Sequence, residues 1–297
     1  MGAAQQIGTG WQRAGIDPVC ALQVFGMRRS GNHAIIDWIM RNAPDAASGG
    51  LFHNDCRYGD DPLEAFASLE VFGKQATLIP SEGRPADRRR AEAGAQPLVF
   101  VSYEDRPPAA GGKRQKASLD FGNTDFTHSV KIYRSFLNWS ASLLAKLKRN
   151  PGYGLLERLR IMMMAMPSYA KMLIRVAKPE HVGVCYDAWV TSEAYQADVL
   201  TTLGLEARDN GLGQVQRFGG GSSFQKKVRD PAQLESTARD AAMAEDTEYQ
   251  LLLWTAAHDV AFVETLIAHF RDDAERLVTL AEYVRLDITL SSRKAPK

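Results

Sequence analysis

The chain has few cysteines, no surplus of either charge and no long apolar run, and each shortage excludes something. Cys20, Cys56 and Cys185 are odd in number, far apart and outside any metal-ligand spacing, which fits reduced thiols and argues against zinc. With 36 basic and 35 acidic residues the formal charge is +1, so bulk electrostatics give no basis for nucleic-acid binding. No apolar run approaches the ~20 residues needed to span a bilayer, and the opening MGAAQQIGTGWQRAG lacks a basic start followed by an apolar stretch. The sequence therefore reads as a soluble cytoplasmic protein. Its 297 residues, 45% of them hydrophobic, suffice for a substantial core, and without a repeat or a convincing linker they are expected to form one α/β domain over 1–297.

What is present starts with LQVFGMRRSGNHAIIDWIM, residues 22–40. An apolar run meets a loop with Gly26 and Gly31, and then Ala34, Ile35, Trp38 and Ile39 recur at helical spacing, so the stretch predicts strand, tight loop, helix. Backbone amides at such a loop bind phosphate oxygens whatever the side chains are. Against the triphosphatase pattern G-x-x-x-x-G-K-(S/T), Asn32 stands in place of the lysine and His33 in place of the magnesium-binding hydroxyl. The cations sit earlier, at Arg28 and Arg29, with Ser30 beside them. Such a loop suits a donor whose transferred group carries a single negative charge and reacts without metal.

Farther along, 49–56 predicts a short strand, 61–72 a helix begun by Asp61 and Pro62, and 97–106 and 129–134 strands. Residues 80–96 and 106–118 read as flexible surface insertions rich in Pro, Gly and charge. A helix is expected over 135–150, one or two over 153–177, a strand over 181–186, a helix over 192–205 and a mainly helical segment over 231–285. Strands separated by helices imply a parallel sheet with right-handed crossovers.

RRSGNHA resembles the P-K-S-G-T-T-W loop of sulfotransferases that use 3′-phosphoadenosine 5′-phosphosulfate, with Arg29 at the lysine position, followed by Ser30, Gly31, Asn32 and His33. Ala34 takes the tryptophan position, leaving Trp38 one turn later as a substitute for the adenine contact. KIYRSFLNWSAS is similar to that family's strand-end arginine and helical serine, which hold the donor's 3′-phosphate; Arg134 and Ser142 match them. Tyr186 in VCYDAW matches a tyrosine beside the adenine. In RFGGGSSFQKK, Ser222, Ser223 and Phe224 fit a turn near the adenine, and Arg217 with Gly219 fits, less well, a loop that closes over the 3′-phosphate. The resemblance covers 22–224. It implies a P-loop-type three-layer sandwich, a central parallel sheet flanked by helices with a mainly helical C-terminal part. It further implies transfer of a sulfuryl group to a hydroxyl, with adenosine 3′,5′-bisphosphate as product and no metal. The alternatives are a P-loop small-molecule kinase and a non-catalytic nucleotide-binding protein.

The acceptor's proton needs a base. Small-molecule members of the family carry a histidine after a central strand; the comparable strand here ends in Tyr103, Glu104 and Asp105. Glycan-modifying members use a glutamate near the strand after the loop's helix, which here corresponds to the region of His53 and Asp55. Glu104 ranks first and His53 second, with Asp105 and Asp55 behind, and Arg29 is assigned to the transferring oxygens. A carbohydrate or glycolipid acceptor is favoured, with a small metabolite the alternative, and nothing indicates membrane contact. The Met-rich stretch 161–178 reads as helix packing, with a lid over the site as the alternative.

Overall fold

The computed structural model describes residues 10–44, 49–58, 60–72, 77–80, 92–105, 121–214, 224, 228, 230 and 233–283. Among them, a seven-stranded sheet runs in the order β5-β4-β3-β7-β2-β8-β9. Its strands are β2 (Ala21–Gly26), β3 (Gly50–Asn54), β4 (Ser68–Phe72), β5 (Thr77–Pro80), β7 (Val99–Glu104), β8 (His128–Tyr133) and β9 (Val182–Cys185). β3, β7, β2, β8 and β9 are parallel, while β4 and β5 extend the β3 edge as antiparallel strands. A separate pair joins β1 (Ile16–Pro18) to β6 (Gly94–Gln96). β2 is buried along its whole length, as a central parallel strand covered on both faces must be, and that explains its unbroken apolar run.

Helices cover both faces. α2 (Asn32–Arg41) and α6 (Glu193–Thr202) pack Ile35, Ile39, Val199 and Leu200 against Val24, Phe52, Phe100, Val130 and Ile132. On the other side, α3 (Phe136–Lys148) and α4 (Leu155–Val176) join the C-terminal helices α7 (Thr247–Ala257), α8 (Val260–Ile267) and α9 (Arg271–Tyr283) in a second core. A third cluster, around Trp11, Phe25, Leu51 and Val101, fills the same face beneath β3 and β7. The short α1 (Gly10–Arg13) and α5 (Tyr186–Thr191) complete the set. The chain is thus an α/β sandwich with a mostly parallel sheet and a helical C-terminal part. Helix starts follow the sequence closely: Ser135, Ser192, Asp246 and Asp259 cap α3, α6, α7 and α8 by accepting backbone N–H bonds.

Two expectations are corrected. Residues 61–72 are not a helix: Asp61 accepts from the Leu63 N–H at 2.9 Å in a single turn, and Ser68–Phe72 then pairs with β3. Residues 94–96 pair with β1 as a short strand, with Glu92 and Gln96 buried and 93–95 exposed, so this end of the 80–96 stretch is a paired surface strand and not a loop; 81–91 and 106–118 lie outside the described residues. The methionine-rich stretch is helix packing, as expected: residues 155–176 form one helix, with Pro167 inside it, and bury Met162, Met166, Tyr169, Met172 and Leu173.

The connections place the site. From β2 the chain passes through α2 to β3 on one side of the sheet, whereas β7 leads to β8 on the other side of β2. Ligands of open parallel sheets bind at such a point, outside the carboxyl ends of the strands.

Candidate functional site

Five strand ends meet at this edge: Gly26 of β2, Glu104 closing β7 with Asp105 after it, Asn54 closing β3 with Asp55 after it, Arg134 after β8 and Tyr186 after β9. The loop from Gly26 to Gly31 is fixed from several directions. Arg29 and Gly31 take left-handed φ values of 72° and 91°. Asn32 lies beneath the loop and donates to Met27 O at 3.4 Å and to Glu104 Oε1 at 3.2 Å, and a side chain on Gly26 would collide with its amide. Asp105 accepts from Arg28 N at 2.7 Å and also pairs with the Arg28 guanidinium. Trp139 Nε1 donates to Arg28 O at 2.9 Å, and Arg134 Nη1 donates to Arg29 O at 3.2 Å. Asp105 is therefore a clamp on the loop, not a base facing an acceptor, and Arg28 turns outward to meet it.

Arg29 turns inward. Its Nε donates to Ser142 Oγ at 3.4 Å, so loop and helix α3 are in contact. Burial, followed by the charges of Arg134, Arg149 and Arg239, pushes the Arg29 guanidinium down to about 10. Three further arginine charges thus bear on Arg29, and its partner Ser142 is 3% exposed. Arg134 Cζ lies 4.8 Å from the centroid of the Tyr186 ring, and Arg239 Cζ lies 4.8 Å from that of Phe224, two stacked cation–ring pairs at the same edge. The Arg134 guanidinium also donates to Ser236 O and approaches Asp187 Oδ1 at 3.8 Å. Ser30 is fully buried, and its hydroxyl has no hydrogen-bond partner among the described residues.

The candidate bases separate by face. Glu104 is beside the loop, and burial, its largest influence, raises its carboxyl above the usual range, against the lowering hydrogen bond from Asn32. His53 is fully buried, bonded through Nε2 to Glu92 Oε1 at 2.9 Å and packed by Trp11 and Phe66. It alternates with Phe52, so it points to the sheet face opposite α2, and the expectation that it serves as a base is withdrawn. Asp55 is exposed, with φ 49° and its N–H on Ser102 Oγ at 3.0 Å. Trp38 is likewise corrected: it is fully buried against Trp189 and offers nothing to an adenine.

Arg217, Ser222 and Ser223 lie outside the described residues. The residues that sequence reasoning missed are Arg149, Arg239 and Glu70. Glu70 on β4 stands opposite Phe52 and comes within 3.5 Å of His33 Nδ1 through Oε1. The alternation in Ser68–Phe72 was the available signal for it. Comparison with protein-family models, curated proteins and solved structures gave no significant match to this chain.

Proposed function

We propose that this chain is a sulfotransferase that moves a sulfuryl group from 3′-phosphoadenosine 5′-phosphosulfate to a hydroxyl of a carbohydrate or glycolipid. The observation that carries the reading is the buried Arg29, bonded to Ser142 and acted on by the like charges of Arg134, Arg149 and Arg239, at the switch point and on a loop lacking both the P-loop lysine and the magnesium-binding hydroxyl. Such a cluster of like charges, partly desolvated, is stabilised by a dianion; a terminal phosphate on the ribose is one. The loop amides and the orphan Ser30 hydroxyl suit the 5′-phosphosulfate, and the Tyr186 and Phe224 rings, each beneath an arginine, suit the base.

In the reaction the acceptor oxygen attacks sulfur in line. A new S–O bond forms, and the S–O bond to the bridging phosphate oxygen breaks, leaving its electron pair on the 5′-phosphate of adenosine 3′,5′-bisphosphate. Arg29 and the loop amides stabilise the negative charge on the equatorial and leaving oxygens. Glu104, with its raised affinity for protons, receives the proton of the hydroxyl.

The test is thermal stabilisation by adenosine 3′,5′-bisphosphate in EDTA, with 5′-AMP in EDTA and magnesium-ATP in EDTA-free buffer as comparisons. Ligand at 100 times its dissociation constant adds about 2.7 kcal/mol. Stabilisation by the bisphosphate alone supports the proposal. Equal stabilisation by 5′-AMP overturns the role of the arginine cluster, and a response only to magnesium-ATP turns the reading toward a kinase.

A further inference from the structure

His33 is the second residue of α2, and its ring is held edge-on against Phe52, with centroids 5.4 Å apart. Its Nδ1 faces Glu70 Oε1, which is buried and has no hydrogen-bond partner among the described residues. Glu70 is 4% exposed. The charged groups around this pair come from three elements. Asp37 lies one turn along α2 and is itself paired with Arg41 at 3.1 Å; Arg29 approaches from the loop; and Glu70 belongs to β4. β3 contributes the ring of Phe52 and no charge on this face.

A carboxylate here would be a desolvated anion near Asp37, and an imidazolium would be a desolvated cation near Arg29. Both charged forms are disfavoured. Burial and then Arg29 push His33 down to about 4, while burial and then Asp37 push Glu70 up to about 7. The pair therefore rests as neutral imidazole beside neutral carboxylic acid, and the Oε1 of the acid, unpartnered among the described residues, faces a nitrogen that can accept its hydrogen, His33 Nδ1.

We infer that Glu70 is a positioning residue for His33: its carboxyl O–H donates to Nδ1 and fixes the ring as the tautomer that carries its hydrogen on Nε2, giving the loop one further N–H for a phosphate or sulfuryl oxygen. The inference rests on the proposed function for the identity of that oxygen, but not for the tautomer. The pair is also a proton switch. When Glu70 ionises it loses one proton to solvent, and the imidazole, still neutral, moves its single hydrogen to Nδ1 to meet the carboxylate. Nε2 is then a bare acceptor, which repels an anion.

The experiment is nitrogen-15 NMR of the histidine-labelled full chain between pH 5.5 and 8.5, with His33→Gln to assign the signal. The expected result is an Nε2–H tautomer at low pH that converts to Nδ1–H near neutrality, and in Glu70→Gln, whose amide N–H still donates to Nδ1, an Nε2–H tautomer throughout. In parallel, the affinity for adenosine 3′,5′-bisphosphate is measured over the same range. Relative to Glu70→Gln, a comparison that cancels the ligand's own titration, the native protein loses about tenfold or more as pH rises, the loss of one hydrogen bond to a charged group. An Nδ1–H or imidazolium signal at pH 5.5 overturns the inference, and the native titration decides this even where Glu70→Gln fails to fold. If no bisphosphate binds but the tautomer switches, the proposed function fails and the proton pair stands. If bisphosphate binds with the same pH dependence in both proteins, the role of the pair in the site is refuted.

Discussion

The Tyr186 ring lies directly on Gly31: a Cβ added to Gly31 would overlap three atoms of that ring. The same residue holds φ at 91°, so the strand-end tyrosine and the loop glycine are matched in both shape and backbone conformation. Tyr186 is in turn covered by Arg134, which bonds Arg29 O. This stack connects β9, β8 and the loop.

Gly31→Ala is therefore expected to destabilise the fold by about 3 kcal/mol, combining the left-handed conformation with overpacking. Tyr186→Ala removes the obstacle but not the φ constraint. Denaturant unfolding of both single variants and the double variant checks the argument: the double variant recovers part of the loss. Strict additivity would show that the ring contact contributes nothing.

Arg29 is costly in the empty protein. Its pKa is pushed down to about 10 by burial and three neighbouring arginines, so Arg29→Met is expected to stabilise the unliganded chain by about 1–3 kcal/mol while eliminating binding of adenosine 3′,5′-bisphosphate. Arg134→Ala is expected to behave differently. It loses bonds to Arg29 O and Ser236 O as well as the Tyr186 contact, so both stability and affinity fall, each by about 2 kcal/mol. Thermal melts with and without ligand separate the two behaviours.

How much of this was legible in the sequence depended on how local the signal was. The strand, loop and helix at 21–41 announce themselves because their periodicity and glycines are local, and Arg134 with Ser142 could be seen because the strand end and helix that carry them are consecutive. Ser68–Phe72 could not: DPLEAF starts like a helix, and pairing with Gly50–Asn54 overrides that preference. Misreading that strand hid Glu70. Which face His53 occupies is settled by register with β7, and Arg149 and Arg239 reach Arg29 only through the packing of distant segments.

Glu70 also yields a stability prediction. Its pKa in the folded chain, about 7, is above the unfolded carboxylate value, so the folded state binds the proton more tightly than the unfolded one. Relative stability is therefore highest below the unfolded pKa and is lost as pH rises through about 7. Glu70→Gln lacks this loss and is expected to gain on the native protein by about 3 kcal/mol between pH 4.5 and 8. Urea midpoints of the two proteins across that range test it; parallel curves would show that Glu70 is not titrating as described.

Glu104 bears the most exposed claim. It is fixed by Asn32 at 3.2 Å, beside the loop and next to the Asp105 clamp, in a setting that favours its protonated form. Glu104→Gln keeps the shape and can still accept from Asn32, but it cannot take a proton. Affinity for adenosine 3′,5′-bisphosphate is accordingly expected to stay within about twofold, while sulfuryl transfer falls by about 10²-fold or more and the acid limb of the rate profile disappears. His53→Ala supplies the contrast. It leaves Glu92 buried without its partner, so it lowers stability, yet turnover per folded molecule is unchanged because the ring lies on the opposite face of the sheet. The measurements pair bisphosphate titration with sulfur-35 transfer to a panel of glycans, glycolipids and small alcohols. If Glu104→Gln retains full turnover on the acceptor used, the proton goes elsewhere, and the carboxylate beside Asn32 serves only to hold the loop.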